Sequence, residues 1–163
     1  MASADTFLQI GDIKGETTDE KFKEWIEVLS WSWGETNSGS HGSGGGGGAG
    51  KVQMQDFHFV MQFGKHSPKL IGACATGDHI PKAVLVSRIA GGKQEEFLKI
   101  EFKNLTISSY QTGASKDGKS RPTDQCSFNY TEIYMNYNEQ KEDGSVGGNI
   151  EVQYNLALNK KIK

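Results

Sequence analysis

From Ile150 to Leu158 the chain alternates apolar and polar residues, with Ile150, Val152, Tyr154, Leu156 and Leu158 on one parity. A period of two places them on one face of an extended strand, whereas a helix would scatter them around its axis. The pattern recurs along most of the sequence. In Val52–Phe63, Phe57, Phe59, Met61 and Phe63 share one face, with Asp56, His58 and Gln62 opposite. Phe7–Ile10, Glu24–Trp33, Ala83–Ile89, Phe97–Tyr110 and Cys126–Tyr137 bring the inventory to about seven strands. Gly91-Gly92, Asp117-Gly118 and Asp143-Gly144 fall between alternating runs, where antiparallel hairpins turn. The reading is a mainly β chain of two antiparallel sheets, a barrel or sandwich, folded as a single domain over residues 1–163.

Two segments qualify this picture. In Glu24–Trp33, Trp25, Leu29, Trp31 and Trp33 share one parity, which predicts one aromatic face. Ile26 and Val28 on the other parity predict burial on both sides, or a bulge near Leu29. One short helix is expected after Ser67, which can cap it, with Pro68 in its first turn and Gly77 at its exit. Gly72 weakens that helix by about 1 kcal/mol relative to alanine, unless a close neighbour packs against Gly72, Ala73 and Ala75. Asp19–Glu24 is a weaker helical candidate.

Gly39–Lys51 reads GSHGSGGGGGAGK. Gly45, Gly50 and Lys51 match the start of the phosphate-binding pattern G-x-x-x-x-G-K-[ST]. That loop must lead into a helix whose N-terminus holds the phosphates, and its Ser or Thr must reach magnesium. Here Val52 has no hydroxyl, and the residues after Lys51 alternate as a strand, so nucleotide binding is rejected. Residues 34–51 then form an unusually long, glycine-rich connection between strands. Such a loop is either idle or an arm whose glycines let backbone lie against another surface, and both readings stay open on sequence alone.

Other chemistry finds little support. His41, His58, His66 and His79 show no ligand spacing, and Cys74 and His79 match no zinc pattern, so no metal or other cofactor is expected. Cys74 and Cys126 are expected as free thiols. No G-x-S-x-G or C-x-x-C motif marks a nucleophile, and no enzyme activity is expected. The net charge of −2 and the lack of a basic stripe argue against nucleic acid as a partner. The N-terminus lacks the basic start and apolar core of a signal peptide, and no run is long enough to span a membrane.

Several separated motifs, in order, resemble one family: FLQIGDIKGE (Phe7–Glu16), VLSWSWG (Val28–Gly34), GGGGAGKV (Gly45–Val52), SPKLIGACATGDHI (Ser67–Ile80), RIAGG (Arg88–Gly92) and YNEQKEDGSVGG (Tyr137–Gly148). Together they are similar to the haemolysin-coregulated protein (Hcp) family, the tube subunit of the type VI secretion system. The resemblance implies a two-sheet β-barrel with one inserted short helix and a long Gly-rich loop. It implies closed homo-hexameric rings that stack into a tube and are themselves exported after assembly in the cytoplasm. The implied partners are the tip protein, sheath and baseplate, with small effector proteins in the lumen. On this view the ring and stacking contacts draw on Gly39, Gly45, Gly46, Gly47, Gly48, Gly50 and Lys51 of the loop and on Ser67, Leu70 and Cys74 of the helix. Ser30 and Ser32 are the expected lumen surface. The alternative function is an effector-binding carrier within that lumen.

Overall fold

The computed structural model describes residues 3–39, 50–115, 117 and 121–163. The chain runs β1 (Ala4–Ile10), β2 (Ile26–Glu27), β3 (Ser30–Ser32), β4 (Glu35–Asn37), β5 (Val52–Met54), β6 (Phe57–Gln62), α1 (His66–Thr76), β7 (Ile80–Ile89), β8 (Glu96–Gly113), β9 (Thr123–Asn129), β10 (Glu132–Gln140), β11 (Val146–Asn155) and β12 (Lys160–Lys161). A large antiparallel sheet has the order β2-β1-β7-β8-β10-β11-β12. A second sheet is built from β3, β6, β9 and the far half of β8. β4 and β5 form a separate hairpin.

Two bent segments join the sheets. β8 pairs with β7 and β10 up to Leu105, and from Thr106 onward with β9. Asn104, at φ +57°, makes the bend. Asparagine tolerates this left-handed backbone better than most residues. Its Nδ2 donates to Thr131 Oγ1 at 3.0 Å, and its Oδ1 lies 3.1 Å from His79 Nε2. The second corner is Val28–Leu29. Val28 N–H bonds to Thr6 in the large sheet, and Leu29 N–H bonds to Val60 in the small one. The expected barrel is therefore not closed: the ladder along residues 26–32 changes sheets between single hydrogen bonds.

That corner also divides the aromatic face expected for Glu24–Trp33. Trp31 and Trp33 pack on the main core, Trp25 joins a separate cluster with Phe7, Phe22, Val84 and Val86, and Leu29 is exposed. The main core lies between the sheets. Phe57, Phe102 and Phe128 meet there with ring centroids 4.9–5.3 Å apart. Such contacts supplement the burial of their large apolar area. On the outer side of the large sheet, Phe22 stacks on Phe7 at 4.7 Å. Arg88, only 4% exposed, lies 5.0 Å and 5.3 Å from these two rings and pairs with Asp19. Asp19–Glu24 is thus a turn rather than a helix: the Asp19 carboxylate accepts the Lys21 and Phe22 N–H groups and the Arg88 guanidinium.

Two more of the expected strands are interrupted. Val52–Phe63 breaks at Gln55–Asp56, where Gln55 bonds through its N–H to Gly34 and through its carbonyl to the Tyr130 hydroxyl. Cys126–Tyr137 breaks at Tyr130–Thr131. The helix begins one residue before Ser67, and Ser67 does not cap it in the usual way. Gly77, at φ +67°, ends it as expected. Gly72 faces open space, so the expected packing against it is absent within the protomer, while neighbouring Ala73 is buried. Asp117-Gly118 reaches outside the described residues. Gly91, Gly92 and Gly144 occupy the positive-φ positions their turns need.

Candidate functional site

No group of three or more His, Cys, Asp or Glu side chains converges as a metal site among the described residues. Cys126 is buried, and burial pushes its thiol up to about 12, far from a reactive thiolate. Cys74 is half-buried and both cysteines are free. Four surface features stand out among the described residues.

The first is the neck of the glycine-rich loop. β4 and β5 pair Glu35 with Met54 and Asn37 with Val52, so the ladder runs into the segment expected as loop. Asn37 closes the neck. Its Nδ2 donates to the Gly50 carbonyl at 2.8 Å, and its Oδ1 accepts the Gly39 N–H at 3.1 Å. A Cβ on Gly50 would meet Gly39 N at 2.9 Å, so glycine is required for this approach. Lys51 is exposed beside it. Gly45, Gly46, Gly47 and Gly48 lie outside the described residues. The strand after Lys51 stands where a phosphate-binding loop would need a helix.

The second is α1. Ser67 and Leu70 are completely buried and Cys74 lies at the edge of the core. Ser67 donates to Asp124 Oδ2 at 2.5 Å and accepts the Gly64 N–H at 3.0 Å. These bonds seat the start of the helix on β9. His66 contacts the Gln62 carbonyl at 3.1 Å, and burial holds its imidazole below the usual histidine range. Glu16 ties the N-terminal segment to the same corner by accepting Arg121 at 2.8 Å and the Lys65 N–H at 3.3 Å. Arg121 holds the Glu16 carboxyl below the ordinary range. With Ser67 and Leu70 turned inward, the helix presents Pro68, Lys69, Ile71, Gly72 and Ala75 to its surroundings.

The third is the outer face of the small sheet. Ser30 lies opposite Val60, and Ser32 opposite His58. Both serines are exposed, while Trp31 between them turns to the core. The two cross-strand rows continue through Gln125 and the buried Ser127 on β9 to Gln111 and Ser109 on β8. They form a shallow depression of about 660 Å³ lined in part by Ser30, Ser32, His58, Gln111 and Gln125. Among the described residues, no carboxylate, lysine or arginine lines it.

A fourth surface was not anticipated. The apolar residues of β11 share one face as expected, yet Ile150 is 68% and Val152 45% exposed, and Tyr137 opposite Ile150 is also exposed. The large sheet has more strands than the small one, so β10 and β11 run past the layer that would cover them. Alternation marks such a face as apolar but carries no information about what lies on it.

The family model described as "Type VI secretion system effector, Hcp" matches residues 7–137. The protein named hcp1 from Pseudomonas aeruginosa is 44% identical over 159 residues, covering 96% of this chain and 98% of its own. A solved structure described as a type six secretion system protein superposes with a TM-score of 0.91 at 32% identity, covering 98% of this chain and 99% of that one. Hcp1 from Salmonella typhimurium gives 0.80 at 33% identity, covering 99% and 100%.

Proposed function

The chain belongs to the Hcp family of type VI secretion proteins, and we propose that it works by assembly rather than catalysis, as a ring-forming subunit of the secretion tube. The observation that carries this reading is the small sheet. β3 pairs only with β6, and Thr106–Gly113 of β8 pairs only with β9. The two outer edges of one sheet therefore lack strand partners among the described residues. Open edges invite pairing, and a head-to-tail contact between two different edges makes a ring when the rotation closes. Six copies is the closure the family resemblance implies. Stacked rings then make the tube, with the Asn37–Gly50 neck carrying the loop toward the next ring. The tip protein, sheath and baseplate are the machinery this subunit meets, and export through the type VI apparatus follows assembly in the cytoplasm. Light scattering on purified protein tests the reading: a six-copy particle supports it, and monomer at every concentration contradicts it.

A second reading, a carrier for small effector proteins, is compatible with the first. It is favoured by the uncharged serine- and glutamine-bearing face around Ser30 and Ser32. In a ring closed through the small sheet, that face becomes the inner wall.

A further inference from the structure

We infer that His58 makes the depression on the small sheet a pH-gated receptor for acidic side chains of a polypeptide. This rests on the carrier reading and gives the cargo surface a chemistry and a trigger. His58 is exposed on β6, the strand between β3 and β9. It stands directly opposite Ser32 on one side and Ser127 on the other. The exposed hydroxyls and amides of Ser30, Ser32, Gln111 and Gln125 share its wall.

Two other ionisable groups reach the depression, the Tyr110 hydroxyl and the Cys126 thiol, and burial pushes both up to about 12. Both stay neutral across the physiological range. Histidine is the side chain whose charge ordinarily changes there. Among the described residues, His58 is thus the lining group that sets the charge of this wall. Other charged side chains flank the depression rather than line it. Asp56 precedes β6, and Glu16, Glu27 and Arg121 gather beside Gln62 at its far end. Asp124 of β9 is completely buried and bonded to Ser67.

With His58 neutral, the wall offers an anion only uncharged donors. Protonated imidazole carries a positive charge and donates from both ring nitrogens. Beside the Ser32 hydroxyl, these donors suit a carboxylate through charge-assisted hydrogen bonds. Glutamate side chains stay ionised down to about pH 4.5, so imidazolium and carboxylate coexist between about pH 5 and pH 6.5. In a ring the wall repeats His58 in every copy, so a polypeptide with several acidic side chains engages several of them at once.

The test uses the full chain and a rhodamine-labelled oligoglutamate peptide, followed by fluorescence anisotropy at about pH 5.5 and about pH 8 at one ionic strength. Binding at least about tenfold tighter at the lower pH is expected. His58→Gln should abolish that difference, and His58→Arg should bind at both values. Both variants should melt as wild type does, because His58 is exposed. Equal wild-type binding at the two pH values, a His58→Gln protein that keeps the difference, or oligoglutamine bound as tightly as oligoglutamate each overturns the site. Failure of the carrier reading is read separately: effector co-purification indifferent to Ser32→Trp overturns that reading, while pH-dependent peptide binding in the same preparation still supports the site.

Discussion

Ser67 and Asp124 are both completely buried, and the Ser67 hydroxyl donates to the carboxylate at 2.5 Å. The second Asp124 oxygen, Oδ1, has no hydrogen-bond partner among the described residues, and burial pushes the nearby Tyr110 hydroxyl up to about 12. One hydroxyl therefore carries much of the burden of keeping a carboxylate inside the protein and fixes α1 on β9. Ser67→Ala leaves that carboxylate without its donor. The expected loss is about 2 kcal/mol of unfolding free energy, read from chemical denaturation. Asp124→Ser in the same background should recover part of it. An Ser67→Ala protein as stable as wild type would contradict this role.

Arg88 and Asp19 fasten residues 14–25 over the outer face of the large sheet. Arg88 is nearly buried, while Asp19 is partly wet, so removing the carboxylate costs less than breaking a fully buried pair. Asp19→Ala should lower stability by about 2 kcal/mol, with Asp5 at 3.8 Å retaining part of the attraction. Denaturation in urea measures it.

The same pair sets a pH dependence. Hydrogen bonding from Arg88 lowers the folded-state pKa of Asp19, and hydrogen bonding from Arg121 does the same for Glu16. A depressed carboxyl pKa contributes stability that is fully present above the unfolded-state value, near 4 for such groups, and is lost as pH falls through the folded-state value. Wild-type stability should thus fall in the acid range below about pH 4, and Asp19→Asn should flatten that fall. An identical acid profile in the variant would refute the linkage.

The loop is predicted to serve stacking rather than folding. Deleting Gly42–Gly50 should leave the melting temperature close to wild type, since the main core lies elsewhere. It should shorten or abolish tubes seen by electron microscopy while single rings persist. Tubes of normal length would show the loop to be a connection only.

On the small sheet, Ser32→Trp places a bulky ring on the proposed inner wall. Rings should still form, and co-purification of a small effector protein should fall several-fold. Unchanged co-purification would remove Ser32 from the cargo surface.

Much of this fold was legible in the chain because period-two alternation reports strands directly. Phe57, Phe59, Met61 and Phe63 were placed on one strand face, and the first three are buried in the core while Phe63 is half-buried. Gly77 marked the helix exit because its backbone needs a positive φ. The turn from one sheet to the other at Val28–Leu29 was half visible, since Ile26 and Val28 conflicted with the aromatic parity beyond them. What alternation could not supply was coverage. Ile150 and Tyr154 have the same parity, yet one is exposed and the other packs on the core, because the second layer ends between them. Nor could it pair Ser67 with Asp124 or Arg88 with Asp19, whose meetings depend on how the sheets and the N-terminal segment fold back. The Gln55–Asp56 break was invisible because the hydrogen bond that holds it comes from Tyr130.

The central claim is ring assembly through two unlike faces of one subunit. Sedimentation velocity of the purified protein across a hundredfold concentration range tests it most directly. The account predicts a dominant species of six times the monomer mass. A wild-type protein that sediments as monomer throughout that range would contradict it.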